Sequence, residues 1–309
     1  MTLRPPAPAV FDVADVRFAD LIAAGEELRH LAAGCTWAEG PVYVPEEPAL
    51  YWSDVRNDRL MRFDEASGVV TEHERPANFC NGHTRDLDGV IVACEQGTRR
   101  VVRWWPDGRR EVIADAFDGK RLNSPNDVVV ASDGSVWFTD PTYGIESDAE
   151  GYQAPSEIGS SNVYRVDRAS GEVTAQVTDM VRPNGLAFSL DERVLYVADT
   201  GVSHVANGPR HIRAYDVDLA AGGVTGGGQV WATCPQGVFD GLRLDADGRV
   251  WASGHLGVHC YAPDGTLLGT VRLPEVCANV EFGGVDRRTL YMTATTSLYA
   301  LRVGAAGVR

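Results

Sequence analysis

The chain lacks a membrane-crossing run, a surplus of cations and a paired-cysteine pattern, and each absence removes a class of function. No apolar run approaches the roughly 18 residues that a spanning helix requires. Residues 1–10 are Pro-rich and carry no basic segment followed by an apolar stretch, so they do not read as a secretory leader. The expectation is a cytoplasmic protein as the sequence stands, with a periplasmic or secreted location open to a longer precursor. Lys and Arg number 28 against 43 Asp and Glu, a formal net charge of -15. Nucleic-acid binding needs cations to displace phosphate counterions, so neither nucleic acid nor a membrane is an expected partner. None of the six cysteines (Cys35, Cys80, Cys94, Cys234, Cys260 and Cys277) stands in C-x-x-C spacing. Most lie in or beside apolar runs, and buried free thiols are expected rather than a disulfide framework or a zinc site. The G-x-S-x-G elbow and the H-E-x-x-H helix are also missing, which withdraws serine-triad and zincin chemistry.

What the chain does contain is a repeat. An apolar or aromatic strand, often ending in a small polar residue, occurs as Leu50-Tyr51-Trp52-Ser53-Asp54, Val90-Ile91-Val92-Ala93-Cys94 and Val136-Trp137-Phe138-Thr139-Asp140. It returns as Leu195-Tyr196-Val197-Ala198-Asp199, Val250-Trp251-Ala252-Ser253 and Leu290-Tyr291-Met292-Thr293. The interval is roughly 40 to 60 residues, in the range of propeller blades. Turn signals precede several copies (Asp88-Gly89, Asp133-Gly134, Asp247-Gly248), and a second alternating strand follows most of them. Asp86-Leu87-Asp88-Gly89 and Asp245-Ala246-Asp247-Gly248 bring their Gly too early for a calcium loop and read as hairpin turns.

Period-two alternation without a helical stripe means antiparallel sheet, and units that cannot cover both apolar faces alone close into a ring. The expected fold is all-β, a six-bladed β-propeller spanning 27–309 behind an N-terminal extension, 1–26. The last blade is one strand short, and residues 28–31 are expected to pair with 297–303 and latch the ring. A helix at 16–24 is weakly marked, and the polar stretch 144–161 reads as a lid or wall over one end.

About nine to eleven residues before each repeated strand stand Glu39, Asn81, Asn126, Asn184, Asp240 and Asn279, most followed by Gly or Asp. A single Asn-Gly or Asp-Gly is usually only a turn. Oxygen-bearing side chains at six equivalent positions are harder to explain that way, because innermost propeller strands converge on the axis. Two carboxylates with amide carbonyls form an oxygen-only set that suits a hard cation, Ca²⁺ first, then Mg²⁺ or Mn²⁺. His or Cys, which zinc prefers, is missing from these positions.

The segments Ala38-Glu39-Gly40-Pro41, Ser124-Pro125-Asn126-Asp127, Trp137-Phe138-Thr139-Asp140-Pro141-Thr142-Tyr143-Gly144, Arg182-Pro183-Asn184-Gly185-Leu186 and Phe239-Asp240-Gly241-Leu242 resemble the gluconolactonase family. That family includes regucalcin (senescence marker protein 30) and is related to diisopropylfluorophosphatase. The resemblance implies a propeller that binds one Ca²⁺, or Zn²⁺ in some members, at its mouth. Glu39, Asn184 and Asp240 fall on the family's metal ligands, and Asn126 on a further ligand or a substrate-binding Asn. The animal lactonases carry an Arg two residues before Asn126. Here that place is Ser124, so the bacterial branch is the better match.

The expected chemistry is hydrolysis of a small-molecule sugar-type lactone, with charge growing on the ring carbonyl stabilised by the cation and a held water as nucleophile. Asp240 is the candidate general base, and Asn81, Asn126, His83, Tyr143 and Arg182 are the candidate substrate contacts, with Trp37, Arg85, His204 and His255 in further segments expected to reach the mouth. Asp140 is weighed as a second, structural Ca²⁺ ligand. Two alternatives stand beside the lactonase: an organophosphate triesterase using the same site, and a calcium-binding propeller without catalysis.

Overall fold

The computed structural model describes residues 7–8, 10–22, 25–105 and 107–308. Six antiparallel sheets follow one another around a ring, each built outward from an innermost strand. The innermost strands are Ala38–Val44, Cys80–Arg85, Val128–Val130, Pro183–Phe188, Phe239–Leu244 and Cys277–Gly283. Each repeated sequence motif forms the next strand out: Ala49–Asp54, Ile91–Glu95, Val136–Asp140, Val194–Asp199, Val250–Gly254 and Thr289–Ala294. The fold is the expected six-bladed propeller.

The hairpins follow from their turn residues. Asp86 Oδ1 accepts the N–H groups of Asp88 and Val90 at 2.9 Å, and Asp245 Oδ1 accepts those of Asp247 and Arg249 at 3.0 Å. Gly89 and Gly248 take φ of +82° and +76°, a region costly for any residue with a Cβ. These loops are therefore turns, as their spacing indicates.

Between adjacent blades lie six apolar clusters among the described residues, one at each interface. Trp52, Trp104, Trp137 and Trp251 are fully buried in four of them. All six cysteines are free and buried, in keeping with their apolar settings.

Closure uses the N-terminal segment twice. Glu27–Ala33 pairs antiparallel with Ser297–Arg302 to complete the sixth blade, with Ser297 opposite Ala33 and Ala300 opposite Arg29. His30 stacks on Tyr299 at 4.8 Å. The second attachment has no sequence signal: Phe11–Val13 adds a fifth strand to the fifth blade, against Leu267–Arg272. Phe18 then drops into the interface between the fifth and sixth blades, fully buried and 6.4 Å from Trp251.

The expected helix at 16–24 is a single turn, Val16–Ala19, capped by Asp15; residues 23–24 lie outside the described residues. One turn fixes several dihedrals for a single hydrogen bond, so the segment's shape is set by burying Phe18, Leu21 and Ile22. Among the described residues, no helix is long and apolar enough to cross a membrane.

Candidate active site on the propeller axis

Innermost strands carry a repeated irregularity where they begin. The register slips between Glu39 and Val42, Cys80 and His83, Pro183 and Leu186, Phe239 and Leu242, and Cys277 and Asn279. A bulge re-aims the side chain it holds, and the slip falls at the polar position in each of these blades. Adjacent backbones nearly touch here. A Cβ on Gly40 would lie 2.0 Å from the Asn81 carbonyl oxygen, and one on Gly185 would lie 2.1 Å from that of Asp240. Glycine after the polar residue is what lets the blades close this tightly.

Further contacts stitch the ring. Gly82 N–H donates to the Asn126 carbonyl at 2.8 Å, and Asn279 Nδ2 donates to Glu39 Oε2 at 3.3 Å. Ser53 Oγ donates to the Asn81 carbonyl at 2.9 Å, and Ser253 Oγ to the Ala278 carbonyl at 2.6 Å. The structure thus brings Glu39, Asn81, Asn126, Asn184, Asp240 and Asn279 to one ring. Five of them are buried, and Asp240 is partly exposed.

The ring is electrostatically loaded. Burial pushes the carboxyls of Glu39 and Asp240 above the usual range; the charge of Asp127 raises both, and that of Glu39 raises Asp240 further. The Gly40 N–H and the Asn184 side chain pull the other way, through hydrogen bonds to Glu39 and Asp240 respectively. Asp127, which follows Asn126 where four other blades place glycine, is fully buried, and its Oδ2 accepts no hydrogen bond.

Beneath the ring, Arg243 bridges four blades. It donates to Glu281 Oε2 at 3.1 Å, to the His83 carbonyl at 3.0 Å and to the Leu242 carbonyl at 2.9 Å, with Asp127 Oδ2 at 3.9 Å. His83 is fully buried with Nδ1 2.6 Å from the Gly40 carbonyl, and burial lowers its pKa to about 4. The structure therefore places His83 in the packed channel under the ring.

Tyr143 and Arg182 meet at the rim. The Arg182 guanidinium lies 5.1 Å over the Tyr143 ring, donates to Thr142 Oγ1 at 2.6 Å and pairs with Glu146. His204 Nε2 is 3.1 Å from the other Glu146 oxygen, and its ring lies 5.4 Å from Tyr143. Burial raises the Tyr143 phenol, and the charge of Asp240 adds to the shift. Thr142 and Glu146 also line a hollow of about 520 Å³ with Gln153 and Ser156. His255 is exposed and packs against Gly237.

Asp140 is engaged within its own blade. Its two oxygens accept the N–H groups of Asn123 and Ser124, each at 2.8 Å. Asp199 holds Val181 and Arg182 in the same way, and Asp54 holds Thr36 and Trp37 through Oδ1 alone. The Asp that ends a repeated strand thus anchors the loop leading into its own blade's polar position. The stretch 144–161 is a fastened wall: Gly144 N–H donates to Ser124 Oγ at 3.0 Å and Ser156 Oγ to Asn123 Oδ1 at 2.6 Å.

The donor set fits a hard divalent cation. Two carboxylates that resist ionisation on their own, with amide side chains beside them, gain most from a cation between them. Among the described residues no three His, Cys, Asp or Glu side chains converge as a cluster, so the carboxylates depend on amide oxygens to complete a set.

A family profile described as the SMP-30/Gluconolactonase/LRE-like region matches residues 37–296. The chain is 29% identical over 304 residues to a gluconolactonase of Zymomonas mobilis, covering 90% of this chain and 81% of that protein. It is 30% identical over 274 residues to the pentonolactonase XacC of Haloferax volcanii, covering 86% and 84%. The solved structure of a Xanthomonas campestris gluconolactonase superposes with a TM-score of 0.88 at 32% identity, covering 98% of each chain. With the axial ring in the matched region, the chain belongs to the SMP-30/gluconolactonase/LRE-like family.

Proposed function

We propose that this chain is a lactonase that opens sugar-type lactones at the propeller mouth, using one divalent cation, Ca²⁺ foremost, held by Glu39, Asn126, Asn184 and Asp240. The observation that carries the reading is the pairing of two destabilised carboxyls, Glu39 and Asp240, with amide side chains on an axis where Asp240 remains partly exposed. When bound, the cation supplies Lewis-acid polarisation of the lactone carbonyl.

The remaining work falls to the chain. Glu39 is fixed by the Gly40 N–H at 2.8 Å and by Asn279, so its carboxylate is oriented before substrate arrives. Asp240 reaches solvent, holds the attacking water and takes its proton as the water oxygen bonds to the carbonyl carbon. The ring C–O bond then breaks, and the leaving oxygen takes up a proton to give the hydroxy acid. Arg182 and Tyr143 at the rim, with Asn81 and Asn126 on the ring, contact the sugar hydroxyls. His83 supports the Gly40 carbonyl from below, a positioning role in place of direct contact.

The test is a panel of aldonolactones assayed with purified protein, with and without chelator, beside elemental analysis. Hydrolysis that chelator abolishes and Ca²⁺ restores supports the reading. A metal-loaded protein inert to every lactone sinks it, and one that cleaves phosphotriesters instead establishes the sister chemistry.

A further inference from the structure

One ion pair at the mouth is left unused by this mechanism. Arg56 leaves the top of the first blade in the short turn Val55–Asn57, and Glu150 lies on the wall segment between the second and third strands of the third blade. Arg56 Nε and Nη2 both approach Glu150 Oε1, at 2.8 and 2.7 Å. The guanidinium also lies 5.2 Å over the Trp37 ring, directly before the loop into Glu39.

Both partners are held from behind. A Cβ on Gly151 would lie 2.1 Å from the Gly144 carbonyl oxygen, so the wall backbone rests on itself beside Glu150. Tyr152 sets its ring edge-on to Phe79 at 5.3 Å, tying the wall to the second blade. Both partners follow strands that end beside the polar ring: Asp54 pairs with Ala38 next to Glu39, and Asp140 holds Asn123 and Ser124 ahead of Asn126.

We propose that Arg56 and Glu150 form an arch over one side of the mouth that reads hydroxyl groups of the substrate and so sets a preference for polyhydroxylated lactones. The proposal rests on the lactonase reading above. Among the described residues, Glu150 Oε2 accepts no hydrogen bond and Arg56 Nη1 donates none. Oε2 can accept a proton from an alcohol and Nη1 can donate to one, so the pair offers both kinds of hydrogen bond to a hydroxylated ring. A lactone without hydroxyls forgoes these hydrogen bonds, so the pair favours hydroxylated rings.

The experiment compares D-glucono-1,5-lactone with unsubstituted δ-valerolactone in the Ca²⁺-loaded parent, Glu150→Gln and Arg56→Met. Glu150→Gln keeps the shape, Arg56→Met keeps the stem over Trp37, and thermal melting reports folding. The ratio of kcat/KM for the hydroxylated over the unsubstituted lactone is expected to fall at least ~10-fold in each variant, chiefly through KM. An unchanged ratio, whether both substrates slow in proportion or neither slows, overturns the arch and leaves the lactonase reading standing. A parent inert to both lactones removes that reading and the arch with it.

Discussion

Two regions of this propeller are built from the same strands and obey opposite rules. Between the blades, side chains such as Phe239, Trp251 and Phe282 are buried among carbon neighbours and stabilise the ring by leaving water. On the axis, the charge of Asp127 bears on Glu39 and Asp240, and Arg243 is the buried cation below them. Burying such charges costs free energy unless they are paired. Phe239 and Asp240 are adjacent residues, one in each region, because successive side chains on a strand point to opposite sides. The interfaces hold the molecule together, and the axis is where stability is given up for chemistry.

The largest effect expected from breaking this comparison comes at the closure. Deleting residues 1–33 removes the outer strand of the sixth blade, the added strand on the fifth, and Phe18 from the interface between them. The edge of Ser297–Arg302 would be left open to pair with other chains. Aggregation is expected by light scattering and size-exclusion chromatography. A monomer that melts like the parent would show that the interfaces suffice without the latch.

Next in size is an interface tryptophan. Trp251→Ala empties a fully buried site and removes the indole donor to Asp245 Oδ2 at 3.0 Å. A loss of about 3–5 kcal/mol in urea unfolding is expected for a large aromatic truncated in a core. The same strand carries none of the six polar ring residues, so lactone turnover per folded molecule should change far less than stability does.

Asp240→Asn should do the reverse. It keeps the shape and an oxygen donor but removes a negative charge from a group that burial and neighbouring carboxylates already strain. Lactone turnover should fall at least ~10²-fold under saturating Ca²⁺, while the chelated variant melts no lower than the chelated parent. Asn279→Ala is the control, because Asn279 shares the ring and contacts Glu39 yet is no proposed ligand; its effect on turnover should be much smaller. A ring in which both substitutions lower stability alike and leave turnover intact would be a structural seam.

How much of this was legible beforehand depends on the range of the interaction. The blades were readable because each is a local hairpin series marked by alternation and Asp-Gly turns. The ring was readable because equivalent positions repeat in the sequence: Glu39, Asn81, Asn184 and Asp240 each stand second in their innermost strands. The latch at 28–31 followed from counting strands. What stayed hidden depends on residues that meet only after the ring closes. Arg243 reaches the His83 carbonyl across 160 positions, and Arg56 reaches Glu150 across 94. Phe18 finds Trp251 with no periodic signal to announce it. Asp127 did carry a sign, a carboxylate where four sister blades have glycine, but a turn explains Asn-Asp equally well in sequence.

The smallest expected effect sharpens the comparison from the interface side, because one titratable group does sit there. His259, on the third strand of the fifth blade, is nearly fully buried; its Nδ1 lies 2.9 Å from Thr270 Oγ1 and its ring is edge-on to Phe239 at 5.8 Å. Burial, with Arg272 adding to it and Asp12 opposing, lowers its pKa to about 4. In the unfolded chain the imidazole takes up a proton near 6.5. The neutral form is therefore favoured by folding. Its stabilising contribution is complete above about pH 6.5, is lost as the pH falls toward 4, and changes no further below that. By pH 5 the loss from this residue alone should be about 2 kcal/mol. His259→Gln removes the titration, so the drop in unfolding free energy between pH 7.5 and 5 should be smaller in the variant by that amount. His83 is shifted the same way in both proteins and cancels in the difference. Identical pH slopes would mean that the imidazole is protonated in the folded interface as well, and that the boundary between apolar seams and a charged axis is less sharp than the packing of the fifth blade indicates.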